Sequence, residues 1–412
     1  MHQRGSNSGQ LRQFNERVVL DVIRRKGKAS KAEIARATHL TPPAVASIVD
    51  ALESAGYVQM AGKRFGGKGQ PSVMYLIAPG GAFSIGMHIG RRALDAVLVN
   101  FTGEIIAQES HEYDFPEPMH VQATGNEIIK SYLNNLAGTK ERIAGLGIAA
   151  PYFLGGWGEE LEFTAAISSK WRSLDMRNFF FSEQGTLPVF TENDASAATL
   201  AELLFGIGLH HKDFIHLSIN TLVGGGLVLD GTLQSGPNGN AAAYGPYPVT
   251  KSKLSSAAPS TGPFEILLHR ASIYVLMRHL RINGVKINRV MDIQDQEGEV
   301  RRLLAEWQTD CADALAQAVI GSIAVVDVDA VVIGGILPQQ VLEATTKLIE
   351  QKFHAMLPAG LVAPKIYSSE LGPFASAFGA SLLPLHAQFG PDRGVLTKNA
   401  LEKKHVMIGA ET

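Results

Sequence analysis

Between Gly27 and Gly56 the chain starts and stops two helices, and few folds tolerate that punctuation. Gly27 closes a first helical stretch, NERVVLDVIRRK (15–26), which sets Val18, Val19, Val22 and Ile23 on one face. Ser30, with Glu33 three residues on, reads as a capping box. Thr41 reads as an N-cap, with Pro42 at the first helical position, where its missing N–H costs nothing. Val45, Ile48, Val49 and Leu52 form an apolar stripe at helical spacing, and Gly56 ends it. Two strand-like runs, YVQMA and SVMYLIA, then flank a basic, glycine-rich tip, GKRFGGKGQP. Helix, capped helix, short turn, capped helix and β-hairpin together spell a winged helix-turn-helix.

In that fold the second helix of the pair, 42–55, lies in the DNA major groove with its first residues toward the base edges. Those residues are Pro42, Pro43, Ala44 and Ser47, with no Arg or Asn among them. Direct readout is therefore thin: apolar contact with thymine methyls and one serine hydroxyl. Ser30 and Thr41, at the two helix starts, complete the candidate contacts of the head. Affinity then rests on phosphate contacts. The tip residues Lys63, Arg64, Lys68 and Gln70 suit a minor groove, where basic side chains favour narrow A·T tracts. The competing reading is a three-helix protein-interaction module, and the basic tip weighs against it. Charge agrees with DNA. Residues 1–78 hold 12 Lys and Arg against 5 Asp and Glu, whereas the remainder holds 25 against 34. A basic head on an acidic body suits a polyanionic partner.

The body alternates strands and helices after a Pro79-Gly80-Gly81 junction. AFSIGMHIG, ALDAVLVNF and EIIAQESHEY read as a three-strand meander, followed by a helix in HVQATGNEIIKSYLNNLA. IAGLGIAAP and LPVFTEND read as strands, ASAATLAELLFG as a helix, and a second αβ set follows. Two α/β lobes with a cleft between them are expected. GLGIAA (145–150) fits the dinucleotide fingerprint, but Pro151 follows where a helix must open, so that reading fails. The His210-His211 pair reads as solvated, and the single cysteine, Cys311, as a buried small hydrophobe. One cysteine excludes a disulfide framework, MHQRGSNSGQ lacks the apolar core of a secretory signal, and no run reaches membrane-span length. A cytoplasmic protein with no membrane partner is expected.

The stretches GLGIAAP, Trp171 before PVFTENDASAATLAELLFG, LSINTLVGGGLVLDG, VVIGG and AFGASLLPLHAQFGP together resemble the ROK family of repressors and sugar kinases. The basic wing GGKGQP resembles that of the family's N-acetylglucosamine- and xylose-type repressors. The resemblance implies an α/β fold: a winged helix-turn-helix joined to a two-lobed actin-like, ribonuclease H-like sugar-kinase body. The expected organisation is a disordered lead over 1–11 and the winged head over 12–79. A first lobe then runs over 80–192 with a C-terminal helix near 380–400, and a second lobe over 193–379.

The family's kinases carry a first phosphate loop Asp-Ile-Gly-Gly-Thr, and the matching residues here are His88-Ile89-Gly90-Arg91-Arg92. Their second loop, Gly-Thr-Gly-x-Gly-Gly-Gly, falls on Asn220-Thr221-Leu222-Val223-Gly224-Gly225-Gly226. The carboxylate that organises Mg²⁺ has become a histidine, and glycines that admit phosphate are gone. Phosphoryl transfer depends on positioning and charge neutralisation, so no catalysis and no ATP or magnesium are expected. Asn193, Asp194 and Glu265 match the family's sugar contacts, and Asp194 stands where the kinases place their base. Two further contacts of the family fall on Ala243 and Pro246, and Tyr244 and Tyr247 offer stacking instead. The zinc cysteines fall on Ser256, Ala258 and Pro263 and the zinc histidine on Pro246, so no zinc is expected, since such a site needs four ligands. Loop 244–262 then holds itself by other means, its prolines among them.

Three roles stay open for Asp194: ligand contact, live base, or structural cap with Asn193 on the helix that follows. The resemblance implies a repressor of carbohydrate genes. Its partners would be an operator in double-stranded DNA, a sugar or sugar-phosphate effector, and further copies of itself as a homodimer or homotetramer. The alternatives are a sugar kinase carrying a DNA-binding head, and a regulator answering to a protein partner.

Overall fold

The computed structural model describes residues 8–65, 71–136, 138–161, 164–180, 187–259 and 262–391. The head is built of α1 (Ser8–Lys26), α2 (Lys31–Thr38) and α3 (Pro42–Ser54). A small sheet of β1 (Ala29–Ser30), β2 (Val58–Arg64) and β3 (Ser72–Ile77) joins them in the order β1-β3-β2. The first helix opens at Ser8, so the lead expected to be disordered through residue 11 is helical from there on. Once a helix is nucleated, each further residue extends it cheaply. The capping box is present: Ser30 Oγ accepts from Glu33 N at 3.3 Å and Glu33 Oε2 from Ser30 N at 2.9 Å. Thr41 has N-cap backbone angles but makes no side-chain cap. Two prolines open that helix and have no N–H to offer it.

The first body sheet holds β4 (Phe83–Ile89), β5 (Ala93–Asn100), β6 (Ile105–Glu112), β7 (Ile143–Ala150) and β8 (Val189–Asn193), in the order β6-β5-β4-β7-β8. The first three form the antiparallel meander, and β7 and β8 run parallel to β4. Strand β7 ends at Ala150, and Pro151 and the turn after it start no helix, which removes the dinucleotide reading on structural grounds. Helix α4 (Pro118–Asn135) packs on this sheet, and the short α5 (Gly158–Leu161) and α6 (Ala165–Arg172) lie between β7 and β8.

Helix α7 (Asp194–Phe205) leads to the second sheet. That sheet is β9 (Phe214–Ile219), β10 (Gly224–Leu229), β11 (Thr232–Leu233), β14 (Ala330–Gly335) and β15 (Lys365–Ser368), ordered β11-β10-β9-β14-β15. Between β11 and β14 come the paired β12 (Pro248–Val249) and β13 (Glu265–Ile266), then α8 (Leu268–Ala271), α9 (Ile273–Ile282) and α10 (Glu299–Ile323). Helix α11 (Gln339–Met356) joins β14 to β15, and Trp307, Cys311 and Phe353 are fully buried in this lobe's core.

The last described helix, α12 (Ala375–Phe389), begins and ends earlier than the expected 380–400, and residues 392–412 lie outside the described part. It passes between the sheets. A Cβ on Gly147 of β7 would lie 1.8 Å from the Ala380 carbonyl oxygen, and one on Gly379 would lie 1.8 Å from that of Ala197. Only glycine lets the three backbones come so close. Among the described residues no helix is long and apolar enough to cross a membrane.

Candidate functional site

A cleft of ≈ 1480 Å³ opens between the two sheets, and its walls include the ends of β4, β7 and β8 and the turn between β9 and β10. Asn193 and Asp194 reach it because β8 ends there and α7 begins. Asn193 Oδ1 accepts from Ala195 N at 3.0 Å and Ser196 N at 3.2 Å, so this side chain caps the helix. That leaves its amide NH₂ as the group it can offer a ligand. Asp194 Oδ1 accepts from Ala195 N at 2.8 Å, while Oδ2 looks toward His88.

His88 stands between two carboxylates. Its Nδ1 lies 3.0 Å from Asp95 Oδ2, and its Nε2 lies 3.8 Å from Asp194 Oδ2. The second distance is an ion pair but not a hydrogen bond, and Nε2 is buried with no hydrogen-bond partner. Burial alone would lower the pKa of His88, but its interactions with Asp194 and Asp95 prevail and raise it to about 9. The two carboxylates thus favour the imidazolium form of this ring. A sequence signal for the pairing was present: β4 and β5 are joined by a short turn that sets His88 directly opposite Asp95. Ser110 Oγ, from β6, holds the other Asp95 oxygen at 2.6 Å. Gly90 leaves room for the ring, since a Cβ there would meet His88 Cε1 at 2.9 Å.

The two arginines that replace the first loop's Gly-Thr pair clamp the cleft wall. Arg91 donates to the carbonyls of Leu154 and Gly156, both at 2.9 Å, and to Phe153 at 3.1 Å. Arg92 donates to the carbonyls of Asp114 and Leu161. The second loop is also occupied from within. The first N–H groups of α9, on Ile273 and Tyr274, donate to the carbonyls of Asn220 and Thr221, and Ser272 Oγ accepts from Val223 N. Donors at a helix start are the usual seat of a phosphate, and here the loop itself takes them. An imidazolium, two clamped guanidiniums and a self-paired loop do not fit a magnesium–triphosphate group.

Tyr244 lines the cleft, but it is packed in the core and its hydroxyl pairs with Ser322 Oγ at 2.9 Å. Glu265 does not reach the wall. It pairs with His269 Nδ1 at 2.7 Å, and the wall position three residues on is taken by Leu268. The irregular chain before it carries no periodicity from which that register could be read.

The zinc positions hold no ligand set. Ser256 sits 2.7 Å from His279 Nδ1, whose Nε2 meets Glu306 Oε2 at 3.1 Å. A buried cation does the larger part of the bracing. Arg270 donates to Asp310 Oδ1 at 2.9 Å, to Asp313 Oδ2 at 3.0 Å and to the Thr250 carbonyl at 3.0 Å. Asp310 in turn accepts from Ser252 Oγ and Lys253 N, both at 2.9 Å. The described part of loop 244–262 is thus tied down by charge, not by its prolines alone. The His210-His211 expectation holds for His210, which is exposed, and needs correcting for His211. His211 is half enclosed by Asp329 Oδ2 and the Tyr367 hydroxyl, each at 3.0 Å, because the turn after α7 folds back on β15.

In the head, Pro42, Pro43, Ala44 and Ser47 lie along the first turns of α3, and all but the half-buried Ala44 are exposed. Ser30 is buried and its hydroxyl is spent on Glu33 at 2.9 Å. Arg64 is held by Glu33 Oε1 at 2.6 Å, so the wing is tied to the start of α2, while Lys63 is exposed. That arginine, followed by the Ser30 backbone, brings the Glu33 carboxyl down to about 2. Lys68 and Gln70 lie outside the described residues.

Residues 84–387 match the ROK family, and residues 15–59 match the winged helix-turn-helix DNA-binding family. The xylose repressor of Bacillus spizizenii is 24% identical over 278 residues, 68% of this chain and 71% of that protein. The crystal structure of a ROK family transcriptional regulator, a homologue of the E. coli MLC protein, superposes with a TM-score of 0.64 at 19% identity. It covers 96% of this chain and 99% of its own. A ROK family glucokinase from Streptomyces griseus, solved with glucose and AMPPNP, superposes with a TM-score of 0.54 at 22% identity, over 73% of this chain and 98% of its own. These likenesses give the architecture: a winged head on an actin-like, sugar-kinase-like body.

Proposed function

The chain belongs to the ROK family, and from that premise we propose that it is a sugar-responsive, DNA-binding transcriptional repressor whose kinase-like body binds a ligand and transfers no phosphoryl group. The observation that carries this reading is His88. A base at Asp194 is of use only beside a positioned, metal-bound phosphoryl group. Here the protein's own imidazolium sits 3.8 Å from that carboxylate, in the place of the metal-organising residue. Asp194 then serves as a ligand contact, and Asn193 both caps α7 and offers its amide. Neither zinc, ATP nor magnesium takes part.

The head reads an operator in the cytoplasm as a homodimer or homotetramer, because a helix-turn-helix matches one half-site per copy. The ligand acts by its different affinity for two arrangements of lobes and heads. The test is fluorescence anisotropy of the purified protein on DNA from upstream of its own gene, at fixed salt, with and without D-xylose, D-glucose and glucose 6-phosphate. Specific binding that one sugar weakens or strengthens is expected. Binding no tighter than to unrelated DNA would sink the reading. The likeness to a glucokinase keeps one rival, a kinase with a DNA-binding head. ATP turnover that disappears in Asp194→Asn would establish it.

A further inference from the structure

Among the described residues the cleft wall has one buried side-chain polar atom without a hydrogen-bond partner: His88 Nε2, facing Asp194 across 3.8 Å. That spacing is too long for a hydrogen bond and too short to thread an oxygen along the line. An oxygen about 2.8 Å from both atoms sits off the line, with the two bonds at roughly a right angle. A hydroxyl satisfies both ends of such a seat, accepting from the ring N–H and donating to the carboxylate. We propose that His88 is a direct ligand residue, and that the His88–Asp194 gap takes one hydroxyl of an uncharged sugar. This rests on the reading of the body as a sugar-binding effector domain.

Charge decides the ligand class at this end of the cleft. One imidazolium faces two carboxylates, Asp95 from β5 and Asp194 from the start of α7. Arg91 and Arg92, tied to backbone carbonyls, share the cleft wall with Arg278, Arg281, Lys286 and Arg289, the last paired with Glu112 at 3.2 Å, so the ligand class is set at the seat and not by the wall as a whole. At the seat itself the ring faces two carboxylates, so a hydroxyl, which accepts from the ring N–H and donates to Asp194 Oδ2, fits where an anion would meet two like charges. The nitrogen is closed to a water-sized probe, so the seat receives a ligand oxygen only when the Asp194 carboxylate turns aside. Asn193, Asn240 and Thr221 line the same cleft and offer further hydroxyl partners.

The test uses the full chain, with D-xylose, D-glucose and glucose 6-phosphate as probes. Affinities come from calorimetry, and the His88 ring nitrogens and protons are followed by NMR in the unmutated protein. The expected result is that a neutral sugar binds and moves the Nε2–H resonance of His88. His88→Leu weakens that sugar by about ten-fold or more, and His88→Gln, which keeps an N–H donor, recovers most of the loss. The NMR readout stands even if a variant fails to fold. A neutral sugar that binds while leaving the His88 resonances unmoved and His88→Leu unimpaired overturns the assignment and leaves the sugar-responsive reading intact. Equal perturbation by glucose 6-phosphate overturns the neutral class. No binding by any probe overturns the assignment and the sugar-responsive reading together.

Discussion

At the scale of single residues, three buried charges govern the body, and each is testable. His88 has its pKa raised from 6.5 to about 9, so its charged form is favoured by folding. The sign follows from linkage: the stabilisation is complete below the unfolded value and is lost as pH rises through about 9. The stability difference between the unmutated protein and His88→Gln should shrink by on the order of 3 kcal/mol between about pH 6 and pH 10, read from urea midpoints. A difference that is flat across that range would mean that folding leaves the imidazole's pKa unraised. Arg270 and Asp310 are nearly inaccessible, at 1% and 4% side-chain exposure. Arg270→Ala strands Asp310 without its cation and should cost about 3–5 kcal/mol in denaturant unfolding. Backbone exchange should also rise over residues 250–253, whose carbonyl, hydroxyls and N–H close the network. None of this pairing was legible in the sequence, because Arg270 and Asp310 are 40 residues apart with no motif joining them. Cys311, by contrast, was legible, since an alanine-rich apolar helix leaves a lone cysteine little to do but pack.

At the scale of elements, legibility follows the range of the forces. The Ser30–Glu33 box, the proline-opened α3 and the β4–β5–β6 meander are set by residues a few positions apart, and each forms where the sequence places it. Helix α9 was harder to see, since it opens on Ile-Tyr-Val, a run that reads equally as strand. Glu265 was misplaced relative to the cleft because β13 is two residues long and its register is set by β12, not by its own pattern. The wing shows an element-level tie that alters DNA binding. Glu33 both completes the box and holds Arg64 at 2.6 Å. Glu33→Gln keeps the box, which accepts either residue, but releases the arginine's ion pair. The freed Arg64 should add one phosphate contact, steepening the slope of log affinity against log salt by about 0.9. An unchanged slope in an anisotropy salt series would place Arg64 away from the DNA backbone.

At the scale of the whole molecule, head and body share one apolar core. Val19, Leu20, Ile34 and Val49 of the head belong to the same buried cluster as Phe101, Leu200, Phe378 and Leu382 of the body. Arg17 of α1 donates to the carbonyls of Ala387 at 3.0 Å and Gly390 at 3.4 Å, where α12 ends. Phe389 closes a triangle of rings with Tyr57 and Phe101, its centroid 5.1 Å and 4.7 Å from theirs. The same α12 lies against β7 and α7, and α7 begins at Asp194 in the cleft. A single rod therefore touches the cleft's helix at one side and the head's helix at its end. Packed cores resist continuous deformation, so a shift at one contact is passed on or not made at all. The full chain should therefore unfold in one calorimetric transition. Arg17→Ala combined with Phe389→Ala should divide it into two, the head melting first, because a domain of the head's size is marginal without its neighbour. In the unmutated protein, a sugar bound in the cleft should change hydrogen exchange in α1, and in the double variant that change should vanish while the sugar's own affinity holds. If α1 responds equally in both proteins, the signal reaches the head by another path than α12.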